Sequence, residues 1–107
     1  MAFRVDITEA ALADAEDFVE YIRGEKKDTV GAERWWNGLL EALFSLERSP
    51  GRGSLVVEAP LRVRGLRQIL YHSHRIVFEL DDQHAIVRVL RIYHGSRRGL
   101  RQSDVPR

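Results

Sequence analysis

Hydrophobic periodicity changes near residue 60, and this change constrains the fold more than any other feature of the sequence. Before that point, apolar residues recur every three or four positions, which is typical of helices that bury one face. Beyond it, they alternate with polar residues, which is typical of strands. The chain has 107 residues, the length of one domain with one core. The order of the patterns predicts an α+β fold with a helical hairpin packed on a C-terminal antiparallel sheet.

Two helices are predicted in the first half, over residues 8–24 and 29–48, after a short strand at residues 3–7. Thr8 is a suitable N-cap, and the corner between the helices is short enough for an antiparallel hairpin. The predicted buried stripes are Leu12, Ala15, Val19 and Ile22 in the first helix and Trp36, Leu39, Leu40, Leu43 and Leu46 in the second. Trp35 lies one position off its stripe, so we expect it to be partly exposed.

The second half predicts an antiparallel sheet. Residues 49–60 have the composition of a loop or arm, and "LRVRGLRQILY" alternates over part of its length. "HRIVFEL" alternates throughout, and the turn signal "DDQH" separates it from "AIVRVLRIYH". Residues 74–80 are therefore predicted to pair antiparallel with residues 85–93, because only a short turn joins them.

Charge is distributed unevenly along the chain. Residues 1–60 carry 7 basic and 12 acidic side chains, whereas residues 61–107 carry 10 arginines, 4 acidic residues and all four histidines. The basic half suggests an anionic partner. Arginines that simply cover the exposed face of a sheet would give the same composition.

Several functional classes are unsupported by the sequence. The chain has no cysteine, so disulfides and thiolate chemistry are excluded, which fits a cytoplasmic protein. The N-terminus has no apolar segment typical of a signal peptide, and no apolar run has the length of a membrane span. His72 and His74 lie two positions apart on a predicted strand, but no third metal ligand is evident, so neither metal nor cofactor is predicted.

Three segments resemble the RelE/ParE superfamily of toxins from bacterial toxin–antitoxin pairs. "AERWWNGLLEALFSLERSP" is similar to the second helix of ParE-type proteins, "HRIVFEL" to a central strand and "VLRIYHGSRR" to the closing strand with its His-Gly-x-Arg ending. The resemblance implies a single toxin domain over residues 1–107. It also implies a small cognate antitoxin that binds the toxin in a hetero-oligomer.

The resemblance also implies where a target would bind. In this superfamily, arginines gather on a concave sheet surface near the end of the closing strand, and guanidiniums bond phosphates bidentately. The corresponding candidates for target binding are Arg67, Arg75, Arg91, Arg97 and Arg98. A solvated position at a strand face or strand end is the alternative for each of them.

Two mechanisms follow from the two branches of the superfamily. A RelE-like, ribosome-dependent mRNA endoribonuclease would use Arg75 and Arg97 on the phosphate and Tyr93 or His94 for proton transfer. However, the segment "LRQILYHS" lacks the lysines that RelE has on the preceding strand, and the tail "GLRQSDVPR" lacks its tyrosine.

A ParE-like inhibitor of DNA gyrase needs no chemistry of its own and has a long helical hairpin. We therefore prefer this interpretation, with gyrase as the expected partner instead of the ribosome and mRNA. A non-toxic plasmid-stabilisation binding module is the third alternative.

Overall fold

The computed structural model describes residues 2–95 and 99–106 of the chain. Its elements, in chain order, are β1 (Arg4–Ile7), α1 (Glu9–Gly24), α2 (Thr29–Phe44), β2 (Ser54–Leu55), α3 (Ala59–Val63), β3 (Arg67–Tyr71), β4 (His74–Asp81) and β5 (Ile86–His94). The predicted α+β class is confirmed. Single 3₁₀ turns at Ser45–Glu47, Pro50–Arg52 and Gln102–Asp104 complete the described structure.

Side-chain caps set the starts of both long helices. The hydroxyl of Thr8 accepts a hydrogen bond from the amide of Ala11 at 3.2 Å, as the sequence predicts for an N-cap. The carboxylate of Asp28 accepts one from the amide of Gly31 at 2.8 Å and begins α2. The second helix ends at Phe44 and tightens into a 3₁₀ turn before Pro50, so it is slightly shorter than predicted.

The five strands form one sheet in the order β1-β5-β4-β3-β2. The predicted hairpin is confirmed, because β4 pairs antiparallel with β5 from the pair His74 and His94 to the pair Asp81 and Ile86. One register shift, between Val77 and Phe78, interrupts this ladder. The N-terminal strand β1 pairs parallel with β5, a contact that the sequence did not indicate.

Each face of the sheet has its own core. Helices α1 and α2 cover one face, where Leu39, Leu43, Ile76 and Phe78 are fully buried. On the second face, the arm and the C-terminal segment supply apolar side chains that pack against the strands. This second core consists of Val56, Leu61, Leu66, Val77, Leu90, Tyr93, Leu100 and Val105.

Three details of the sequence-based prediction are wrong. Trp35 is buried and Trp36 is only half-buried, which reverses the predicted order. Leu12 is exposed, and Ala11 takes its place in the buried stripe. Both errors are rotations of a helix by one position, because an apolar stripe more than 100° wide does not specify which edge meets the sheet.

The third error concerns the arm between the helices and the sheet. Residues 59–63 form the short helix α3, with Pro60 in its first turn, and strand β3 begins only at Arg67. Leu61 and Leu66 are buried in the second core, whereas Val63 between them is 89% exposed, so the alternating sequence pattern just after residue 60 does not correspond to alternating burial.

Candidate functional site

A cleft opens between α1 and the ends of strands β4 and β5. His74 and His94 are cross-strand partners there, with ring centroids 4.9 Å apart, and His74 is only 4% exposed. The ring of Phe18 meets His74 edge-on, with a centroid distance of 4.3 Å. This histidine cleft has a volume of about 370 Å³, and its lining consists of Asp14, Asp17, Phe18, Tyr21, His74, Ile92, Tyr93 and His94.

Aromatic rings surround the histidine pair from three elements. Phe18 contacts Trp35 at a centroid distance of 4.8 Å, and Trp35 in turn contacts His74 at 5.2 Å and Tyr71 at 5.7 Å. The connected rings are Phe18, Tyr21, Trp35, Tyr71, His72, His74 and His94. Ring faces and edges at the mouth of a cleft suit stacking or cation–π contacts with a bound partner.

The end of β5 separates two residues that the sequence placed together. Both residues border the cleft, but His94 contacts Phe18 of α1, whereas Tyr93 is 5% exposed and packs in the second core. Gly95 then closes onto the β3–β4 turn, where its amide donates to the carbonyl oxygen of Ser73 at 2.7 Å. A Cβ at Gly95 would lie 3.1 Å from that oxygen, so this close approach favours glycine.

Arg75 is held by a carboxylate from the arm. Its Nη1 and Nη2 donate to the two carboxylate oxygens of Glu58 at 2.7 and 2.8 Å, and its Nε donates to Gln68 at 2.8 Å. The two charged side chains are 14% and 13% exposed. Hydrogen bonds from Arg75, aided by one from the amide of Leu100, lower the pKa of Glu58 from 4.5 to about 2.

Arg91 is held in the same way by a carboxylate from α1. Its Nε and Nη2 each lie 2.7 Å from an oxygen of Asp14, and its Nη1 donates to the carbonyl oxygen of Asp104 at 2.6 Å. Asp14 also accepts a hydrogen bond from the backbone amide of Ile92 at 2.9 Å. Ile92 lies just past the last paired residue of β5 in the β1–β5 ladder, Val89. These bonds to Asp14 raise the pKa of Arg91.

Arg67 binds backbone oxygens instead of a carboxylate. Its Nη2 donates to the carbonyl oxygens of Gly51, at 3.2 Å, and of Gly53. Thus Arg67, Arg75 and Arg91 all use their guanidiniums to connect separate parts of this chain. Arg97 and Arg98, the other two candidates, lie outside the described residues.

The predicted catalytic set does not converge within the described structure. Arg75 and Tyr93 are cross-strand neighbours, and Tyr93 packs in the second core although it also borders the histidine cleft, whereas His94 contacts Phe18 and His74 on the helix face. No sequence pattern indicated Phe18 and Tyr21 as neighbours of the histidines, or Asp14 and Glu58 as partners of the arginines. The pairing of His74 with His94 was not predicted either, because the predicted hairpin ended at residue 93 and the register shift between Val77 and Phe78 is not encoded in the alternating pattern.

Neither a metal site nor a membrane span is evident in the part of the chain that the structure describes. No three histidine or acidic side chains in residues 2–95 and 99–106 are arranged to hold a metal ion. No helix in those residues has the length and apolar character needed to cross a membrane.

Solved structures of similar fold include chains from two toxin–antitoxin systems and a toxin studied alone. The chain superimposes with a TM-score of 0.66 on a chain of the RelBE2 toxin–antitoxin complex from Mycobacterium tuberculosis, at 22% identity over 88% of this chain and 99% of that one. For the chromosomal ParDE system of P. aeruginosa, the TM-score is 0.68 at 18% identity, over 87% and 96% of the two chains. For a mutant of E. coli RelE in the free state, it is 0.56 at 20% identity, over 90% and 86%. The fold is therefore that of the RelE/ParE superfamily.

A family match of the amino-acid sequence identifies the family within this fold. Residues 5–99 match the family described as the ParE toxin of the parDE type II toxin–antitoxin system, and the chain belongs to that family. A comparison with curated protein sequences finds no match.

Proposed function

We propose that this toxin arrests growth by inhibiting DNA gyrase, as a binding protein without chemistry of its own. The observation that carries this proposal is that the three candidate arginines within the described residues, Arg67, Arg75 and Arg91, are bound by other parts of this chain. A ribonuclease needs cations that face the substrate phosphate in the transition state. Here a phosphate would have to displace Glu58 from Arg75 and Asp14 from Arg91.

The separation of the proton-transfer candidates supports the same proposal. General acid–base catalysis requires the base, the acid and the cations to meet around one reacting group. Tyr93 and His94 both border the histidine cleft, but Tyr93 is only 5% exposed and packs in the second core, and the guanidinium of Arg75 is bound by Glu58 on that second face. A gyrase inhibitor requires no such convergence, and it requires no lysine on the sheet.

A RelE-like ribonuclease is the second candidate, and the histidine cleft is the observation that favours it. The cleft combines two imidazoles with the rings of Phe18 and Tyr21, which offer stacking surface for a base beside groups that can exchange a proton. In this candidate the cleft, and not the arginine face, would bind RNA.

Purified protein added to two assays separates the candidates. We expect it to block supercoiling by DNA gyrase and to leave protein synthesis in a translating extract unchanged. Inhibition of the extract together with full gyrase activity would refute the gyrase proposal and favour the ribonuclease.

A cognate antitoxin is the proposed neutralising partner. The RelBE2 and ParDE structures of similar fold come from toxin–antitoxin systems. The half of the chain after residue 60 is rich in arginine, and Arg62 and Arg101 lie exposed there. An antitoxin segment with acidic side chains would complement this half, and co-expression with the antitoxin is expected to restore growth.

A further inference from the structure

A second concave surface lies between α1 and α2, and it shares no residue with the histidine cleft. This hairpin groove has a volume of about 600 Å³, and its lining consists of Glu16, Val19, Glu20, Arg23, Ala32, Glu33, Trp36 and Asn37. Val19 and Ala32 are buried at its base. Trp36 is half-buried, so part of its indole faces the groove.

The groove is acidic. Glu16, Glu20 and Glu33 are exposed, and the one cation in the lining, Arg23, already lies 2.7 Å from a carboxylate oxygen of Glu20. Helix α1 as a whole carries five acidic residues and one basic residue. The negative electrostatic potential of these carboxylates repels nucleic acid phosphates and attracts positively charged groups. The arginine-rich half of the chain has the opposite charge.

The groove also offers an apolar anchor. A partly exposed tryptophan within a concave surface is the kind of residue that carries binding energy at protein interfaces. Two further apolar side chains, Leu12 and Phe44, are exposed near the opposite end of the hairpin, where α1 begins and α2 ends. An apolar centre rimmed by carboxylates matches a partner that carries both apolar and cationic side chains.

We propose that the hairpin groove binds a lysine- or arginine-rich segment of a protein partner. An apolar side chain of that segment packs on Trp36, and its cations pair with Glu16, Glu20 and Glu33. This inference rests on the charge and shape of the helical hairpin and is independent of which target the toxin acts on.

Two neighbouring tryptophans allow a direct test by NMR. The probe is a synthetic amphipathic peptide with lysines on one face and leucines on the other, and the control peptide has glutamates in place of the lysines. Titration of ¹⁵N-labelled toxin with the lysine peptide is expected to shift the indole N–H resonance of Trp36. The resonance of Trp35, which is buried in the core, should move little.

Matched variants separate the groove from general charge attraction. The triple variant Glu16→Gln, Glu20→Gln, Glu33→Gln is expected to bind the lysine peptide at least about tenfold more weakly at low salt. The control variant Glu9→Gln, Glu41→Gln, Asp82→Asn removes the same number of charges from exposed positions outside the groove, and we expect less than a twofold change from it.

Several outcomes would overturn the proposal. Equal weakening in both triple variants would show attraction without a site, and equal binding of the glutamate peptide would show no charge selection. A Trp36 resonance that stays fixed at saturation would place the peptide elsewhere. Self-association of the wild type that Trp36→Ala abolishes in sedimentation would assign the groove to a second copy of this chain.

Discussion

Glu58 connects three parts of the chain that lie far apart in the sequence. Its carboxylate accepts hydrogen bonds from both terminal nitrogens of Arg75 in β4 and from the backbone amide of Leu100 in the C-terminal segment. Because both charged groups are mostly withdrawn from water, removal of one leaves the other without its counter-charge. This single side chain therefore fixes the arm and the tail on the second face of the sheet.

Glu58→Gln is expected to lower the free energy of unfolding by about 3 kcal/mol, because it leaves the largely buried guanidinium of Arg75 without a counter-charge. Urea unfolding at neutral pH measures the loss. Glu79→Gln is the matched control, because Glu79 pairs with Arg88 at 3.0 Å but both side chains are about one-third exposed. That change should cost less than about 1 kcal/mol, and equal losses in the two variants would contradict this account.

The same carboxylate predicts how stability depends on pH. Its pKa is about 2 in the folded protein and 4.5 ordinarily, so the unfolded state takes up the proton more readily between those values. The contribution of Glu58 is complete above about pH 5 and is lost as the pH falls toward 2. The stability gap between the wild type and Glu58→Gln should therefore be narrower at pH 3 than at pH 6. An unchanged gap would mean that Arg75 does not lower this pKa.

At the scale of elements, Gly38 sets how closely α2 packs on β3. A methyl group at this position would occupy the space of the Tyr71 hydroxyl, which donates to the carbonyl oxygen of Trp35 at 2.8 Å. An alanine in place of a mid-helix glycine normally stabilises a helix by about 1 kcal/mol. Here we expect Gly38→Ala to destabilise by about 1–2 kcal/mol, because the tyrosine must move.

A double-mutant cycle identifies the cause of that loss. Tyr71→Phe removes the hydroxyl, so it should recover part of the stability lost in Gly38→Ala, measured by thermal or urea unfolding. Stabilisation by Gly38→Ala alone, or simple additivity of the two changes, would show that the helix and strand do not pack in this way.

Asp14 connects α1 to the C-terminal part of β5, which extends past the end of β1. Its carboxylate accepts hydrogen bonds from two nitrogens of Arg91 and from the backbone amide of Ile92. Ile92 lies past the last pair of the β1–β5 ladder, Ile7 and Val89. Asp14→Ala should cost about 3 kcal/mol and should speed hydrogen exchange at the Ile92 amide. Asp17→Ala, at an exposed position on the same helix, should change stability by less than about 0.5 kcal/mol. Slow exchange at Ile92 in Asp14→Ala would refute the link.

At the scale of the whole molecule, the sheet separates two surfaces of different chemistry. The histidines and aromatic rings lie on the helix side, and the second face holds the bidentate Arg75–Glu58 pair. A gyrase inhibitor requires no proton transfer from the histidine cleft. His94→Gln, which keeps hydrogen-bonding groups, is therefore expected to retain most growth inhibition in cells that lack an antitoxin.

Colony counts after induction measure this retention, with circular dichroism to verify that the variant is folded. Wild-type cells should show DNA damage signalling. Loss of toxicity in folded His94→Gln, together with mRNA cuts at ribosomal codons mapped by primer extension, would make the ribonuclease the better account.

The order and type of the main elements could be predicted from the sequence alone. Helical spacing before residue 60 and alternation after it predicted both long helices and the β4–β5 hairpin, because these patterns follow from local geometry of the backbone. Thr8 as an N-cap was also predictable, since a cap needs only neighbouring residues.

Which side chains meet across elements could not be predicted, because these contacts depend on how the helices and strands pack. Whether Trp35 or Trp36 enters the core depends on a rotation of α2 that a wide apolar stripe leaves open. The partners of Arg75 and Arg91 are 17 and 77 residues away in the chain, and no local pattern encodes such distances. The arginine count in the second half suggested an anionic partner, yet the carboxylates of Glu58 and Asp14 already supply part of that negative charge. Charge composition is a property of the sequence, whereas charge that is free to bind a partner is a property of the fold.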